Sequence, residues 1–241
     1  MVMKIIKGIN AIIDTLILIF CLLVLGLASF GLWDSYHLYQ QADASNFKKF
    51  KTAQQQPKFE ELLALNEDVI GWLTIPGTHI DYPLVQGETN LEYINKAVDG
   101  SVAMSGSLFL DTRNHNDFTD LYSLIYGHHM AGNVMFGEIP KFLKKDFFES
   151  HRKATIETRE RKTLTVEIFA CLKTDAFDQL VFNPNAMMNQ DQQREFINYI
   201  SDKSKQFRPI TLNSKTRLIA FSTCENFSTD ERIIVVGTIQ E

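Results

Sequence analysis

The stretch that decides the fold is 217–239, which contains RLIAFSTC at 217–224 and RIIVVGTI at 232–239. Both runs are rich in β-branched and apolar residues, a composition typical of β-strands. The short polar segment between them predicts that the two strands pair antiparallel, with the residues beside the loop roughly 5 Å apart. Cys224 and Arg232 are therefore predicted to lie side by side at the edge of a sheet.

Histidine is also placed at the end of a strand, since Tyr126-Gly127-His128-His129 ends another apolar strand upstream. A thiol, an imidazole and a guanidinium at strand ends indicate acyl transfer by a cysteine nucleophile. A nearby cation lowers the pKa of a thiol, and the thiolate is the reactive form. Adjacent histidines in an extended chain point in opposite directions, so only one can face the thiol.

Each of these residues can also be interpreted as structural and not catalytic. Cys224 is also consistent with a buried structural cysteine, which behaves as a small hydrophobic side chain. His128 is consistent with a satisfied surface or core histidine, and Arg232 with a solvated charge at a strand end. Three-dimensional contact between the three residues does not follow from their spacing alone.

Short strand-like runs separated by turn signals also occur along most of the preceding chain. Eight such strands predict a closed or nearly closed barrel. Helical spacing of apolar residues predicts two helices, at 136–150 and 191–206. The predicted strands are 69–75, 80–85, 107–110, 122–126, 154–158, 163–172, 216–223 and 232–239.

The N-terminal run 15–33 is apolar and carries no charge. As a helix it extends roughly 28 Å, close to the thickness of a membrane core. Lys4 and Lys7 before the run, and Asp34 after it, favour an N-terminus inside the cell and the remaining chain outside. A cleaved signal peptide is the alternative, although its apolar core is usually only about 7–15 residues long. The predicted organisation is a cytoplasmic tip and transmembrane anchor at 1–34, an extracellular helical arm or stalk at 35–58, and the main domain at 59–241.

Composition and cysteine usage narrow the classes of partner and cofactor. The net charge is −5 without a basic stripe, which argues against a nucleic-acid partner. The three cysteines, at 21, 171 and 224, give no disulfide framework, and Cys21 and Cys171 lie in apolar runs as small hydrophobic residues. No spacing typical of a zinc site and no glycine-rich phosphate loop occurs, so neither a metal nor a cofactor is predicted.

Six motifs follow one another along the main domain: NEDVIGWLTIPGT (66–78), IDYPLVQG (80–87), GHHM (127–130), MFG (135–137), STC (222–224) and Arg232. Together these motifs resemble those of class B sortases, in the same order and at similar separations from Asn66 to the C-terminus. Within that family, the stretches at 77–83, 91–96 and 128–136 are similar to streptococcal pilus-associated enzymes. One departure is Ala220-Phe221, where the family often has Thr-Leu before the residues that lead to the cysteine.

The resemblance implies a mainly β fold, an eight-stranded sortase-type β-barrel with flanking helices at 59–241, preceded by a transmembrane helix. It also implies a Cys-His-Arg site in which His128 is preferred over His129. Cys224 attacks a carbonyl of a C-terminal sorting motif, Arg232 stabilises the developing charge, and His128 protonates the departing amine. An amine then attacks the thioacyl-enzyme. By family position, Ser222, Thr223 and Glu225 flank the nucleophile and line the substrate groove. Asn90 and Ile94 match a weaker family pattern near the substrate, and loop capping and core filling are the alternative roles for these two residues.

The implied partners are the membrane, exported proteins that carry a sorting motif, and an amine acceptor. The expected function is pilus polymerisation with a pilin lysine as acceptor, by a single-pass membrane protein with an extracellular catalytic domain. The alternatives are anchoring of surface proteins to peptidoglycan cross-bridges, a secreted thiol peptidase, and a non-enzymatic membrane-tethered assembly module.

Overall fold

The computed structural model describes residues 2–224 and 230–240 and divides the chain into two compact units, 1–40 and 41–241. Helix α1 (Val2–Ala42) makes up the first unit and reaches the start of the second. Among the described residues, α1 is the one helix long and apolar enough to cross a membrane, and its most apolar window has a mean hydropathy of 2.7. That window includes none of the buried residues, as expected for a helix that lipid would surround.

Removal of residues 1–40 is expected to leave a soluble domain that unfolds cooperatively. The reason is that the apolar window of α1 is not buried within the protein, whereas the barrel described below has its own core. Circular dichroism and size-exclusion chromatography without detergent would measure this. Aggregation of the truncated protein under mild conditions would instead show that α1 supplies part of the folded core.

The second unit is built on a sheet that closes on itself. Strand order is β5-β1-β2-β3-β4-β8-β9-β6, and β6 pairs again with β5, which completes an eight-stranded barrel. Pairing is antiparallel except between β2 and β3 and between β4 and β8. The predicted barrel is confirmed. The strands are β1 (Val69–Thr74), β2 (Asp81–Val85), β3 (Leu108–Leu110), β4 (Tyr122–Tyr126), β5 (Lys153–Thr158), β6 (Thr163–Asp175), β7 (Ser204–Phe207), β8 (Arg217–Cys224) and β9 (Glu231–Gln240).

Strand β7 lies outside the closed ring and differs from the sequence prediction. The helix predicted at 191–206 is α4 (Gln190–Lys203), and it stops where Ser204 becomes extended. The cause is that β6 is longer than β5, whose pairing with β6 ends at Glu167. Residues of β7 bond to β6 at Ala170–Leu172 and so satisfy a strand edge that would otherwise lack backbone partners.

The second predicted helix, at 136–150, is also shorter in the structure. It consists of a 3-10 turn (Ile139–Leu143) followed by α3 (Lys145–Ser150). Lys144 between them is extended (φ −88°, ψ 130°), and Pro140 at the beginning of the turn has no N–H for a preceding helix. Helical spacing of apolar residues was therefore correct for α3 but not for the residues before it.

The arm that leads into the barrel packs on its surface. A 3-10 segment (Ala44–Phe50) is followed by α2 (Phe59–Leu65), and Phe47 contacts the ring of Tyr82 at 5.9 Å between centroids. The Tyr82 hydroxyl donates to the carbonyl of Ala42 and accepts from the N–H of Met135. One buried tyrosine thus joins the arm, strand β2 and the segment that follows the histidine pair.

Lys51 and Asp81 form an ion pair of 2.5 Å that fixes the arm to β2. Trp72 Nε1 and the Thr74 hydroxyl donate to the same Asp81 oxygen, each at 2.7 Å. Burial would raise the pKa of Asp81, but the hydrogen bonds from Lys51, Trp72 and Thr74 outweigh it and lower that pKa. The carboxylate is therefore ionised in the folded protein and stabilises it.

The substitution Asp81→Asn is expected to lower the free energy of unfolding at pH 7 by about 2 kcal/mol, since it removes charge-assisted bonds and leaves Lys51 unpaired. Because the folded pKa of Asp81 is lowered, its stabilising contribution is complete above the unfolded pKa of roughly 3.9. It is lost as the pH falls through the folded value. Urea unfolding at pH 7 and pH 3 should show the difference between wild type and variant shrink in acid; a pH-independent difference would contradict the ion pair.

Candidate active site

The hairpin of β8 and β9 brings the predicted nucleophile and cation together. Cys224 is the last residue of β8, and the antiparallel register pairs it with Arg232 near the start of β9. Only the backbone of Cys224 is described. Glu225 lies outside the described residues, so its predicted contact with substrate stays a prediction.

His128 is placed beside this hairpin by the parallel pairing of β4 with β8. Tyr126 is opposite Ser222, and the N–H of Gly127 donates to the carbonyl of Ser222 at 3.1 Å. A Cβ at Gly127 would lie 2.3 Å from Leu108 Cδ2 and 2.7 Å from Phe136 Cδ2, so both of these side chains would have to shift to admit it. Glycine therefore allows Leu108 and Phe136 to pack directly against the backbone next to His128.

The two histidines have different surroundings. His128 lines the cavity at the end of β8, and its Nε2–H donates to the carbonyl of Ile94 at 2.7 Å. His129 forms a backbone bridge with Met135 and is not part of the cavity lining. Of the two histidines, His128 is the one that lies at the cavity, and its catalytic role stays a prediction.

The cavity has a volume of about 270 Å³ and opens at the ends of several strands. It brings together six of the residues predicted from sequence: His128 and Arg232, predicted to be catalytic, and four of the five predicted to bind substrate, Asn90, Ile94, Ser222 and Thr223. During acyl transfer next to the end of β8, an imidazole can exchange a proton with the reacting groups. A guanidinium, which has five N–H donors, can stabilise an oxyanion. The described lining residues are Asn90, Ile94, Ser107, Phe109, Tyr126, Gly127, His128, Ala176, Phe182, Ser222, Thr223 and Arg232.

Aromatic rings form one side of the cavity and were not predicted from the sequence. Tyr126 stacks on Phe182 with 6.4 Å between centroids and 12° between planes, and it contacts Phe109 at 5.3 Å. Burial, followed by the charge of Asp111, raises the pKa of Tyr126, so its hydroxyl remains a hydrogen-bond donor at neutral pH.

A buried carboxylate behind this wall was also missed. Asp111 is completely buried and accepts hydrogen bonds from Arg113, Tyr126 and Asn90. Burial would raise the pKa of Asp111, but the hydrogen bonds from Arg113 and Tyr126 lower it. The signal in the sequence was the polar group Asp111-Thr112-Arg113-Asn114 directly after the apolar strand β3. It is the same strand-end placement that marked His128.

Within residues 2–224 and 230–240, no group of three or more His, Cys, Asp or Glu side chains has a geometry that could hold a metal ion. The described lining of the cavity includes the hydrogen-bonding side chains of Asn90, Ser222 and Thr223.

Comparison with known proteins matches this chain to a family. The sortase domain model matches residues 73–240, which contain β2–β9 and the whole β8–β9 hairpin. Sortase B of Staphylococcus aureus is 31% identical over 186 residues, which are 76% of this chain and 75% of that protein.

Solved structures of streptococcal enzymes are also similar to the chain. A class B sortase of Streptococcus pyogenes involved in pilus biogenesis is 57% identical, with a TM-score of 0.70, covering 76% of this chain and 98% of that one. Sortase B from the type II pilus of Streptococcus pneumoniae is 36% identical, with a TM-score of 0.64, covering 75% and 97%. The fold, the family model and these relatives agree: the chain belongs to the class B sortases, which are cysteine transpeptidases acting on proteins with a sorting motif.

Proposed function

We propose that this sortase polymerises pilins, joining the sorting motif of one exported pilin to a lysine amine of the next. The observation that carries the pilus assignment is the 57% identity to a Streptococcus pyogenes class B sortase involved in pilus biogenesis, over 98% of that chain. Similarity to a sortase from a pneumococcal pilus supports the same pilus assignment. The roles of Cys224, His128 and Arg232 follow the family resemblance, and the strand register and the lining of the cavity support them.

In the first half-reaction, the Cys224 thiolate attacks the scissile carbonyl of the sorting motif. Arg232, its partner in the β8–β9 register, donates hydrogen bonds to the carbonyl oxygen as negative charge develops there. The carbon–nitrogen bond then breaks, and the His128 imidazolium gives a proton to the departing amine. The acyl group is left on Cys224 as a thioester.

In the second half-reaction, the amine of a pilin lysine attacks the thioester. Neutral His128 accepts the proton that the amine loses, the new amide forms, and the Cys224 thiolate is released. Because the Nε2–H of His128 is held by the Ile94 carbonyl, Nδ1 is the ring nitrogen that exchanges protons with the reacting groups.

The cavity binds the residues of the sorting motif next to the scissile bond. Ser222 and Thr223 precede the nucleophile on β8, and Asn90 and Ile94 line the same cavity. Glu225 extends this surface beyond the nucleophile by family position. A sorting motif is thereby held across the end of β8 with its scissile carbonyl at Cys224.

Helix α1 anchors the enzyme in the membrane as a single span. Lys4 and Lys7 lie close to its N-terminal end, and this excess of positive charge retains that end in the cytoplasm. The barrel is then extracellular, where exported pilins and their lysine amines are present.

The test is to incubate the full chain in detergent with candidate pilin subunits and to follow covalent ladders on denaturing gels. A parallel reaction offers amines that imitate peptidoglycan cross-bridges. Ladders that join pilins through lysine are the expected result. A product only with the cross-bridge amine would replace this proposal with wall anchoring, and release of the hydrolysed motif despite abundant amine would replace it with a peptidase.

A further inference from the structure

Asp111 is a carboxylate without exposure to water, and hydrogen-bond donors from three segments converge on it. Arg113 donates from Nε and from a terminal nitrogen at 2.8 and 2.7 Å. Asn90 Nδ2 donates at 3.0 Å, and the Tyr126 hydroxyl donates at 2.9 Å. The bidentate pair with Arg113 has the fork geometry that gives such pairs their directional strength.

Arg113 extends this network to a fourth segment, after β6. The terminal nitrogen that bonds to Asp111 also donates to the carbonyl of Phe182 at 2.7 Å, and the other terminal nitrogen is 3.5 Å from Asn183 Oδ1. The backbone that carries the Phe182 ring is therefore fixed by the same guanidinium.

Asp111 and Arg113 do not line the cavity, but three of their partners do. Asn90, Tyr126 and Phe182 come from three separate segments, and each is bound to the pair. Stability alone is a weak reason for such an arrangement, since apolar residues of similar volume often stabilise a core as well as a buried ion pair does.

We propose that Asp111 and Arg113 are positioning residues that set the substrate-binding wall of the cavity. The inference rests on the proposed function, because that wall is assigned to the sorting motif. The pair holds the Asn90 amide in one orientation, with Nδ2 toward Asp111 and with Oδ1 accepting from the N–H of Thr112 at 2.8 Å. It also holds the Phe182 ring against Tyr126, so that the motif meets a preformed surface.

The orientation of Asn90 has a specific consequence for recognition. Among its contacts with described residues, one amide hydrogen is used by Asp111 and the carbonyl oxygen is used by Thr112. The second amide hydrogen is thus the donor that Asn90 presents to a peptide carbonyl. Loss of Asp111 would free the amide to rotate and would remove this preference.

The kinetic test uses the full chain in detergent, a lysine-like amine, and a peptide that copies the sorting motif of the pilin polymerised in the ladder assay. Asp111→Asn turns an acceptor of several hydrogen bonds into a group that itself donates, and Arg113→Lys keeps the charge but removes the fork. Each is expected to raise KM about tenfold, with kcat changed by less than about threefold. Asn90→Ala should raise KM by a similar factor.

The double variant Asn90→Ala/Asp111→Asn tests whether Asp111 acts through Asn90. Positioning predicts that its KM is no higher than that of the more affected single variant, because both changes remove the same contact. The matched control is Asp81→Asn, which disrupts another carboxylate network away from the cavity and should lower stability with unchanged KM. Multiplicative effects in the double variant, or a KM increase in the Asp81→Asn control, would overturn the proposal.

Hydrogen exchange without substrate tests the positioning separately from catalysis. Backbone amides at 180–183 are expected to exchange about tenfold faster in Arg113→Lys than in wild type or Asp81→Asn, because the hydrogen bond to the Phe182 carbonyl is lost. Unchanged exchange there would overturn the positioning role even if the enzyme is active. If the wild type forms no product that depends on Cys224, the proposed function is wrong. The hydrogen-exchange result would still decide whether Asp111 and Arg113 hold the substrate-binding wall.

Discussion

The Cys224→Ala variant is expected to form neither acyl-enzyme nor transpeptidation product, a loss on the order of 10⁴-fold or more. The methyl group of alanine cannot form the thioester through which the acyl group passes from motif to amine. Product formation followed by mass spectrometry, with wild type and variant at equal concentration, measures the effect.

Cys171→Ala is the matched control for this variant. Cys171 is fully buried in β6, and burial raises the pKa of its thiol, so it is not a reactive thiolate. Removal of that thiol should leave turnover close to wild type, with a small loss of stability from the missing core atom. Substantial product from Cys224→Ala, or loss of turnover only in Cys171→Ala, would show that the nucleophile has been misassigned.

The Arg232→Lys variant is expected to lose roughly 10²- to 10³-fold in kcat. Lysine retains the positive charge but is a compact point charge, whereas the planar guanidinium can direct two N–H groups at the same substrate oxygen. Because the interaction strengthens as the oxyanion forms, the loss should appear mainly in kcat and less in KM. Steady-state kinetics with the motif peptide and a saturating amine separate the two constants.

Arg217→Lys is the control for Arg232→Lys, since Arg217 lies at the opposite end of the same strand pair. There the guanidinium donates to the carbonyl of Phe118 and is not part of the cavity lining. A similar kcat for Arg217→Lys and wild type is expected. Near-normal kcat in Arg232→Lys would remove Arg232 from the chemical step.

The barrel could be predicted because its strands carry their own signal. The β8–β9 hairpin has two apolar runs at a separation typical of antiparallel pairs, and the structure has the predicted register of Cys224 opposite Arg232. Strand β7 carries no such signal, since its sequence Ser204-Lys205-Gln206-Phe207 is mostly polar. It forms because β6 is longer than β5, a fact that depends on the assembled sheet.

The candidate site, like the fold, could be predicted from the sequence only in part. His128 and Arg232 were predicted from strand ends, and the preference for His128 over His129 came from the resemblance. Asp111 and Arg113 also follow a strand, but their importance depends on partners 15 to 70 residues away in the sequence, such as Tyr126 and Asn183. Sequence spacing carries no information about such contacts, so the support behind the cavity wall was visible only in three dimensions.

Passage of the acyl group through a thioester on Cys224 can be observed by intact-mass analysis. The wild-type chain is mixed with the motif peptide without amine and quenched in acid, its mass is measured, and the modified residue is then located by proteolysis. The expected result is a mass increase equal to the N-terminal part of the cleaved peptide, located on the fragment that contains Cys224 and removed by addition of a lysine amine. An adduct on Cys21 or Cys171, or complete cleavage and transfer with no adduct at Cys224 at any time, would contradict it.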